Sequence, residues 1–342
     1  GAINITASHN PPQYNGIKFS PSWGGPALPE TTKDIEKRAA RIVSGRDSVK
    51  APGNKGVKTG IKPADFKERY LGRIQKLVDM KALRKAGLEV VADCLYGTGR
   101  GYLDFLLKES GCKVNVLHNY RDVYFGGGTP EPNERNLGEC VSELKRTKAA
   151  LGVATDGDAD RFGIIDRDGS FITPNEVLAL LFVHLKKMRG WSGCVVRTVA
   201  TTHLIDRIAQ LYGVPLKETP VGFKYIGEIM IKEDFLIGGE ESGGLTVKGH
   251  VPEKDGVLAC MLMAEVCAVQ RKPLKKCLED IYRKTGYVYN KRLNMKLAGK
   301  QQDALVKALR DGVPDSMAGM KVDKIKVFCK YHGCKGGFPI FI

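Results

Sequence analysis

The sequence predicts a multidomain α/β protein with mixed, mostly parallel sheets, closed by a smaller α+β piece. Two observations carry this reading. Short apolar runs alternate with stretches of helical spacing from Leu88 to Gly238, the pattern of strands joined by crossover helices. The 342 residues are 42% hydrophobic and 27% charged, an ordinary globular composition at a length that suits two to four domains.

In chain order, Ile3, Asn4 and Ile5 read as the end of a buried strand that delivers Ser8 at its carboxyl end, and 15–20 as a second short strand. Apolar residues at helical spacing follow Pro29 over 30–43. Residues 44–62 are glycine-rich and basic, hold little that could anchor a core, and form the first boundary. A helical pattern covers 64–86, then a strand 88–92 and a turn with glycines at 97, 99 and 101. The third glycine of a dinucleotide-binding G-x-G-x-x-G would fall on Tyr102, so this is read as a tight strand-to-helix turn. Helix 102–109 and strand 113–117 follow.

Further on, 133–147 reads as helix and 150–155 as an apolar strand ending at an acidic loop, with a strand resuming at 162–166. Strands at 194–198, 215–218 and 235–238 alternate with helices at 204–212 and 223–232. The most apolar helix is 257–270, and Pro273 opens another to residue 284. The last piece combines strand 287–297, helix 301–310 and strand 324–330, while 331–342 shows no pattern.

Several function classes are excluded by composition. No run approaches the eighteen or so apolar residues of a membrane span. The net charge of +16 comes from 54 basic residues spread along the whole chain, which is a basic surface able to draw in small anions such as phosphate esters rather than a nucleic-acid stripe. Nine dispersed cysteines read as reduced core thiols of a cytoplasmic protein; Cys329 and Cys334 are the closest pair and lack two further zinc ligands nearby.

Three segments carry chemistry. Asp156-Gly157-Asp158-Ala159-Asp160-Arg161 alternates carboxylates with small residues. An EF-hand would need glycine and glutamate where Arg161 and Arg167 stand, and an aspartyl phosphatase loop would need a hydroxyl where Asp160 stands. What remains is a site for one hard divalent cation, best Mg²⁺, on a turn that Gly157 and Ala159 allow to be tight. Thr6-Ala7-Ser8-His9-Asn10-Pro11-Pro12 presents one hydroxyl, Ser8, on a stiffened turn; with a cation and Lys18 nearby it reads as a phosphoryl acceptor and donor. Gly238-Gly239-Glu240-Glu241-Ser242-Gly243-Gly244 lacks the Lys-Ser/Thr of a P-loop, and its acids suit vicinal sugar hydroxyls.

In this order the three segments resemble the α-D-phosphohexomutase superfamily, which includes phosphoglucomutase and phosphomannomutase, over 1–323. The resemblance implies tandem α/β/α sandwich domains at 1–53 (part of the phosphoserine domain), 54–170 (metal loop), 171–284 (sugar loop) and a partial 285–342. It implies Ser8 as phosphoserine and a metal ligand, Asp156, Asp158 and Asp160 as Mg²⁺ ligands, and Arg161 as partner of the phosphoserine. His9 and Lys18 fall around the reacting oxygens, with Lys18 as general acid or base; a base would need a lowered pKa. Glu240 and Ser242 match sugar contacts, and Gly222 and Lys224 a neighbouring substrate loop, whereas 252–256 is read as structural. The implied activity is hexose-phosphate mutase, glucose 1-phosphate to glucose 6-phosphate or the mannose equivalents, through a hexose 1,6-bisphosphate.

The family has further residues ahead of the serine and an arginine-proline-serine-glycine-threonine phosphate loop near its end; neither is found here. An upstream stretch is therefore expected to be missing, with exposed apolar surface near Ile3, Ile17 and Phe19, and the substrate's second phosphate is expected to lack a holder. Two alternatives stand beside the mutase: a non-catalytic phosphosugar-binding remnant and a Mg²⁺-dependent sugar phosphatase.

Overall fold

Residues 151–155 and 162–166 are buried at every position, as central strands covered on both faces must be. A computed structural model describes residues 1–48, 62–289, 298–312, 315–317, 320–321, 326–327 and 340–341. The chain opens with β1 (Ala2–Ile5) and β2 (Ile17–Ser20), an antiparallel pair in which Ile5 faces Ile17, followed by α1 (Pro29–Val43). The loop between the two strands, closed where Thr6 N donates to Gly16 O at 3.1 Å, carries Ser8.

The second unit holds α2 (Lys67–Leu77), α3 (Met80–Ala86), β3 (Glu89–Asp93), α4 (Leu103–Glu109), β4 (Lys113–Leu117), α5 (Gly138–Thr147), β5 (Leu151–Thr155), β6 (Phe162–Asp166) and β7 (Phe171–Ile172). Its sheet runs β4-β3-β5-β6-β7; β3 is parallel to β4 and β5, and the β5–β6 and β6–β7 pairs are antiparallel. Thr155 pairs with Phe162, so 156–161, the acidic loop, is the connection of a hairpin whose strands are buried throughout.

The third unit holds α6 (Pro174–Lys187), β8 (Cys194–Thr198), α7 (Leu204–Tyr212), β9 (Leu216–Thr219), α8 (Phe223–Lys232), β10 (Phe235–Gly239), β11 (Leu245–Val247), α9 (Gly256–Gln270) and α10 (Leu274–Thr285). Its sheet is β11-β10-β8-β9, parallel except for β11. Thr173 starts α6 with a capping box to Glu176 and a proline at the first turn, the arrangement that satisfies free N–H groups at a helix start. Helix α9 is buried from Gly256 to Ala268, as a helix apolar all round must be. It packs against α3, α4, β5 and β6 of one unit and α6 and β11 of the next, so both share a core. Its buried Glu265 is satisfied by His184, Arg189 and the Asp79 amide. Beyond it, α11 spans Gly299–Asp311.

Several expectations need correction. Strand β1 is exposed, with Ile3 at 70% and Ile5 at 62%; the apolar surface expected here is found at Ile3 and Ile17, while Phe19 is half-buried. The single helix over 64–86 is two, because the Asp79 carboxylate caps a fresh start by accepting from Lys81 N and Ala82 N. The helix of 133–147 begins only at Gly138, since Asn133 and Asn136 spend their side chains on loop bonds. Residues 287–289 form no strand, and the rest of the strand expected at 287–297 lies outside the described residues. So does most of the boundary at 44–62, most of the strand at 324–330 (only Lys326–Val327 is described) and nearly all of 331–342.

Candidate active site

Ser8 sits at the tip of the first loop with φ 55°, a left-handed conformation that L-residues adopt rarely and at a cost of about 1 kcal/mol or more. The neighbouring Thr6 holds it there: Thr6 Oγ1 accepts from Ser8 N at 2.8 Å and donates to Asp158 Oδ2 at 3.0 Å. The turned serine donates through Oγ to Asp156 Oδ2 at 3.0 Å, and His9 Nδ1 lies 3.4 Å from the same Oγ. Burial, reinforced by Arg161, lowers the His9 pKa, so a neutral ring stands beside the hydroxyl.

On the opposite side, the hairpin loop gathers Asp156, Asp158 and Asp160 so that one oxygen of each lies within 4.8 Å of the others. Asp156 is fully buried and accepts from Arg161 N at 3.0 Å. Burial, then Asp160 and Asp158, push its carboxyl up to about 8. Asp158 goes the other way: burial opposes its charge, but Lys18 holds it below the usual range. Lys18 Nζ reaches Asp158 Oδ2 at 2.8 Å and Asp160 Oδ2 at 3.3 Å, and Lys254 Nζ reaches Asp160 Oδ2 at 2.8 Å. Two buried oxygens, Asp158 Oδ1 and Asp160 Oδ1, have no hydrogen-bond partner among the described residues, and neither has buried Arg161 Nε. Orphaned carboxylate oxygens on a three-acid turn fit a hard divalent cation. The loop opens onto a cleft of 990 Å³ that Lys18, Tyr70, Glu253 and Lys254 also line.

Descriptions of phosphoglucomutase/phosphomannomutase α/β/α domains I, II and III match residues 1–46, 68–169 and 173–285. The chain belongs to the phosphoglucomutase/phosphomannomutase family.

Among its relatives, a phosphoglucomutase/phosphomannomutase of Thermococcus kodakarensis is 34% identical over 82% of this chain and 60% of its own length. A phosphoglucomutase of Komagataeibacter xylinus is 31% identical over 90% of this chain and 58% of its own. A solved structure from Thermus thermophilus superposes with a TM-score of 0.77 at 35% identity, covering 87% of this chain and 66% of that one. The chain thus spans about three-fifths of the length of these curated relatives. Tandem α/β/α domains with mixed sheets are the fold that it shares with the phosphohexomutases.

This member of the family brings Ser8, His9, Lys18, Arg161 and the three aspartates into one place. Gly222 and Glu240 meet each other instead: Gly222, at φ 127°, donates its N–H to Glu240 Oε1 at 2.9 Å, and burial raises the Glu240 pKa. The glycine-rich segment still abuts the acid loop, where Phe162 N donates to Gly243 O. Ser242 is half-buried and Lys224 Nζ lies over the Tyr225 ring; among the described residues neither bonds to the serine or acid loops. Lys18 keeps its proton more firmly than usual, since Asp160 and Asp158 outweigh the effect of burial. That is opposite to the lowering a general base needs.

Two contributors escaped the sequence reading. Thr6 belongs to the same turn, and its hydroxyl-to-amide bond two residues on is a common local motif, so it could have been found. Lys254 was assigned to a structural segment. Gly256 explains its place: its amide donates to Ala159 O at 2.9 Å, and a Cβ there would meet Arg161 O at 2.1 Å, so only glycine lets the third unit close onto the acid loop and bring Lys254 to Asp160.

Proposed function

We propose that the chain carries the phosphoryl-transfer half of a hexose-phosphate mutase. The observation that carries the reading is the Ser8 hydroxyl, 3.0 Å from a buried carboxylate of a three-acid cluster. Ser8 would hold a phosphoryl group, give it to a free hydroxyl of a hexose monophosphate, and receive the other phosphate of the resulting hexose 1,6-bisphosphate. At each transfer the P–O bond to the leaving oxygen breaks as that to the accepting oxygen forms, and the proton of the attacking hydroxyl passes to a nearby group. Asp156, Asp158 and Asp160, with Ser8, would hold Mg²⁺, which supplies charge neutralisation of phosphoryl oxygens. Lys18 and Lys254 add positive charge on the same side, Arg161 Nε is free to meet the phosphoserine, and neutral His9 can exchange a proton at Oγ. Lys18, held protonated by Asp160 and Asp158, suits charge stabilisation of the phosphoryl group better than proton transfer.

Glu240 and Ser242, with Gly222 and Lys224, are assigned to the sugar side, Glu240 by holding the Gly222 turn. The domain limits 1–53, 54–170, 171–284 and 285–342 belong to the same proposal. Among the described residues, seven free, buried cysteines support a reducing, cytoplasmic setting, and no helix is long and apolar enough to cross a membrane.

The test is phosphoryl transfer from radiolabelled glucose 1,6-bisphosphate with Mg²⁺, read by intact mass and by conversion of glucose 1-phosphate to glucose 6-phosphate. One stable phosphoryl group on the chain, lost in Ser8→Ala, is expected. Label retained in Ser8→Ala, or inorganic phosphate as the sole product, overturns the reading.

A further inference from the structure

The serine-bearing stretch, residues 1–48, is joined to the rest of the chain without a share in its apolar cores, which begin at Tyr70 among the described residues. One tie is the reaction centre itself, where Ser8 donates to Asp156 and Lys18 pairs with Asp158 and Asp160. That tie is rewritten whenever Ser8 takes up a phosphoryl group, because Oγ then has no hydrogen left to donate. A second tie lies at the turn Pro21-Ser22-Trp23-Gly24-Gly25, closed where Gly24 N donates to Pro21 O at 3.0 Å, and it involves no reacting group.

Gly25 is the one buried residue among 1–48. The Trp23 indole folds over its α-carbon: a methyl group there would overlap the ring, and would also come within 2.6 Å of Pro252 O. The same carbonyl faces a second bare position, Gly227 of α8, where a methyl group would lie 2.5 Å from Pro252 O and 3.4 Å from the indole. Gly25 and Gly227 thus admit the ring and the Pro252 carbonyl into one contact, a close approach that the lack of a side chain allows. The surfaces joined there lead to both ends of the proposed reaction. Pro252 opens the short segment whose Lys254 reaches Asp160 at 2.8 Å. Helix α8 follows Gly222 and carries Lys224, both assigned above to the sugar side.

We propose that Trp23 is a positioning residue for phosphoryl transfer. The role rests on the mutase reading: Trp23 seats the serine-bearing unit on the third unit, so that Ser8 keeps its distance from a sugar phosphate held there while its own bonds to the acid loop are broken and remade. A half-buried indole suits this, being large and rigid, with few torsions to fix for the area it covers. Transfer is sensitive to such a seat, since a misplacement on the order of 1 Å costs about 10²-fold in rate. Affinity is not, because Trp23 does not line the cleft at the acid loop.

The test follows labelling of Ser8 on the full chain by radiolabelled glucose 1,6-bisphosphate with Mg²⁺, as a single-turnover rate against bisphosphate concentration. Trp23→Ala should lower the maximal rate roughly ten-fold or more, leave the half-saturating concentration unchanged and still end at one phosphoryl group; Trp23→Phe should recover most of the rate. Trp23 and Trp191 are the two tryptophans of the sequence, so Trp191→Phe isolates the emission of Trp23. Gly25→Ala in that background should shift this emission to longer wavelength, as an indole released to water emits, and slow labelling as Trp23→Ala does. The thermal transition of the cores should be unchanged in each variant, since none of them includes a residue of 1–48. Full maximal rate in Trp23→Ala, a raised half-saturating concentration in place of a lowered rate, a shifted emission in Gly25→Ala with normal labelling, or loss of the core transition overturns the proposal. An unaltered chain that takes no label fails the mutase reading, and this proposal with it; normal labelling of the unaltered chain and of Trp23→Ala alike fails this proposal alone.

Discussion

Gly157 approaches Ser8 so closely that a methyl group on its α-carbon would lie 2.4 Å from the Ser8 carbonyl oxygen. The acid loop and the serine loop are in register only because one side of that contact is bare. Gly157→Ala should therefore push the Ser8 hydroxyl away from Asp156 without touching any charged group. A displacement on the order of 1 Å costs about 10²-fold in transfer rate. Rates of Ser8 labelling in Gly157→Ala and the unaltered chain check this; equal rates would show that the contact does not set the geometry.

Three carboxylates crowded within 4.8 Å repel one another, and Lys18 and Lys254 offset part of that cost. A divalent cation offsets more. Mg²⁺ at about a hundred times its dissociation constant should stabilise the chain by about 2.7 kcal/mol, seen as a higher thermal midpoint that a chelator reverses. Asp160→Asn removes one of the proposed ligands and should lose most of the gain. If the variant responds to Mg²⁺ as strongly as the unaltered chain, the ion binds elsewhere.

Where burial decides the residue pattern, the sequence was readable. Strands β6 and β8 and helices α7 and α8 have the ends expected of them, and β5 starts one residue late, because apolar runs bounded by charged or glycine turns leave little choice. Chemistry on a single loop was equally open, as the spacing of Asp156, Asp158 and Asp160 shows. The roles within that loop were not: Ala159 takes the left-handed conformation at φ 59°, while Gly157 is needed for the approach of Ser8. Lys254 was invisible for the same reason. Its partner Asp160 belongs to another unit, and nothing local in Pro252 to Gly256 encodes how those units dock. The break at Val78–Asp79 likewise depends on a distant group, since the Asp79 amide donates to Glu265 at 2.7 Å.

That distant group invites its own substitution. Glu265 is fully buried; burial opposes its charge, yet His184, the Asp79 amide and Arg189 hold its pKa below the usual range. Glu265→Leu would leave Arg189 and His184 facing an apolar side chain and the Asp79 amide without an acceptor. Loss of one partner from a buried pair costs about 3–5 kcal/mol. Urea unfolding should show a loss of this size, with part recovered in Glu265→Leu combined with Arg189→Met. A loss below about 1 kcal/mol would mean the cluster behaves like a surface pair.

His118 provides the pH-dependent case. Its Nδ1 lies 2.8 Å from buried Asp93 Oδ1 and its Nε2 3.2 Å from Glu139 Oε2. The Asp93 bond, against burial and with help from Glu139, raises the imidazole pKa above its usual value. A raised folded pKa means that the proton binds more tightly in the folded chain, so the stabilisation is complete below about 6.5, the unfolded value. It fades as pH rises through the folded value. The backbone at His118 is left-handed, φ 49°, so asparagine, which tolerates that region, is the replacement that removes the charge without adding strain. The stability gap between the unaltered chain and His118→Asn should be widest near pH 6 and narrow steadily towards about pH 9. A gap that stays constant over this range would show that His118 contributes through packing against Tyr96, whose ring centroid is 4.5 Å away, and not through its charge.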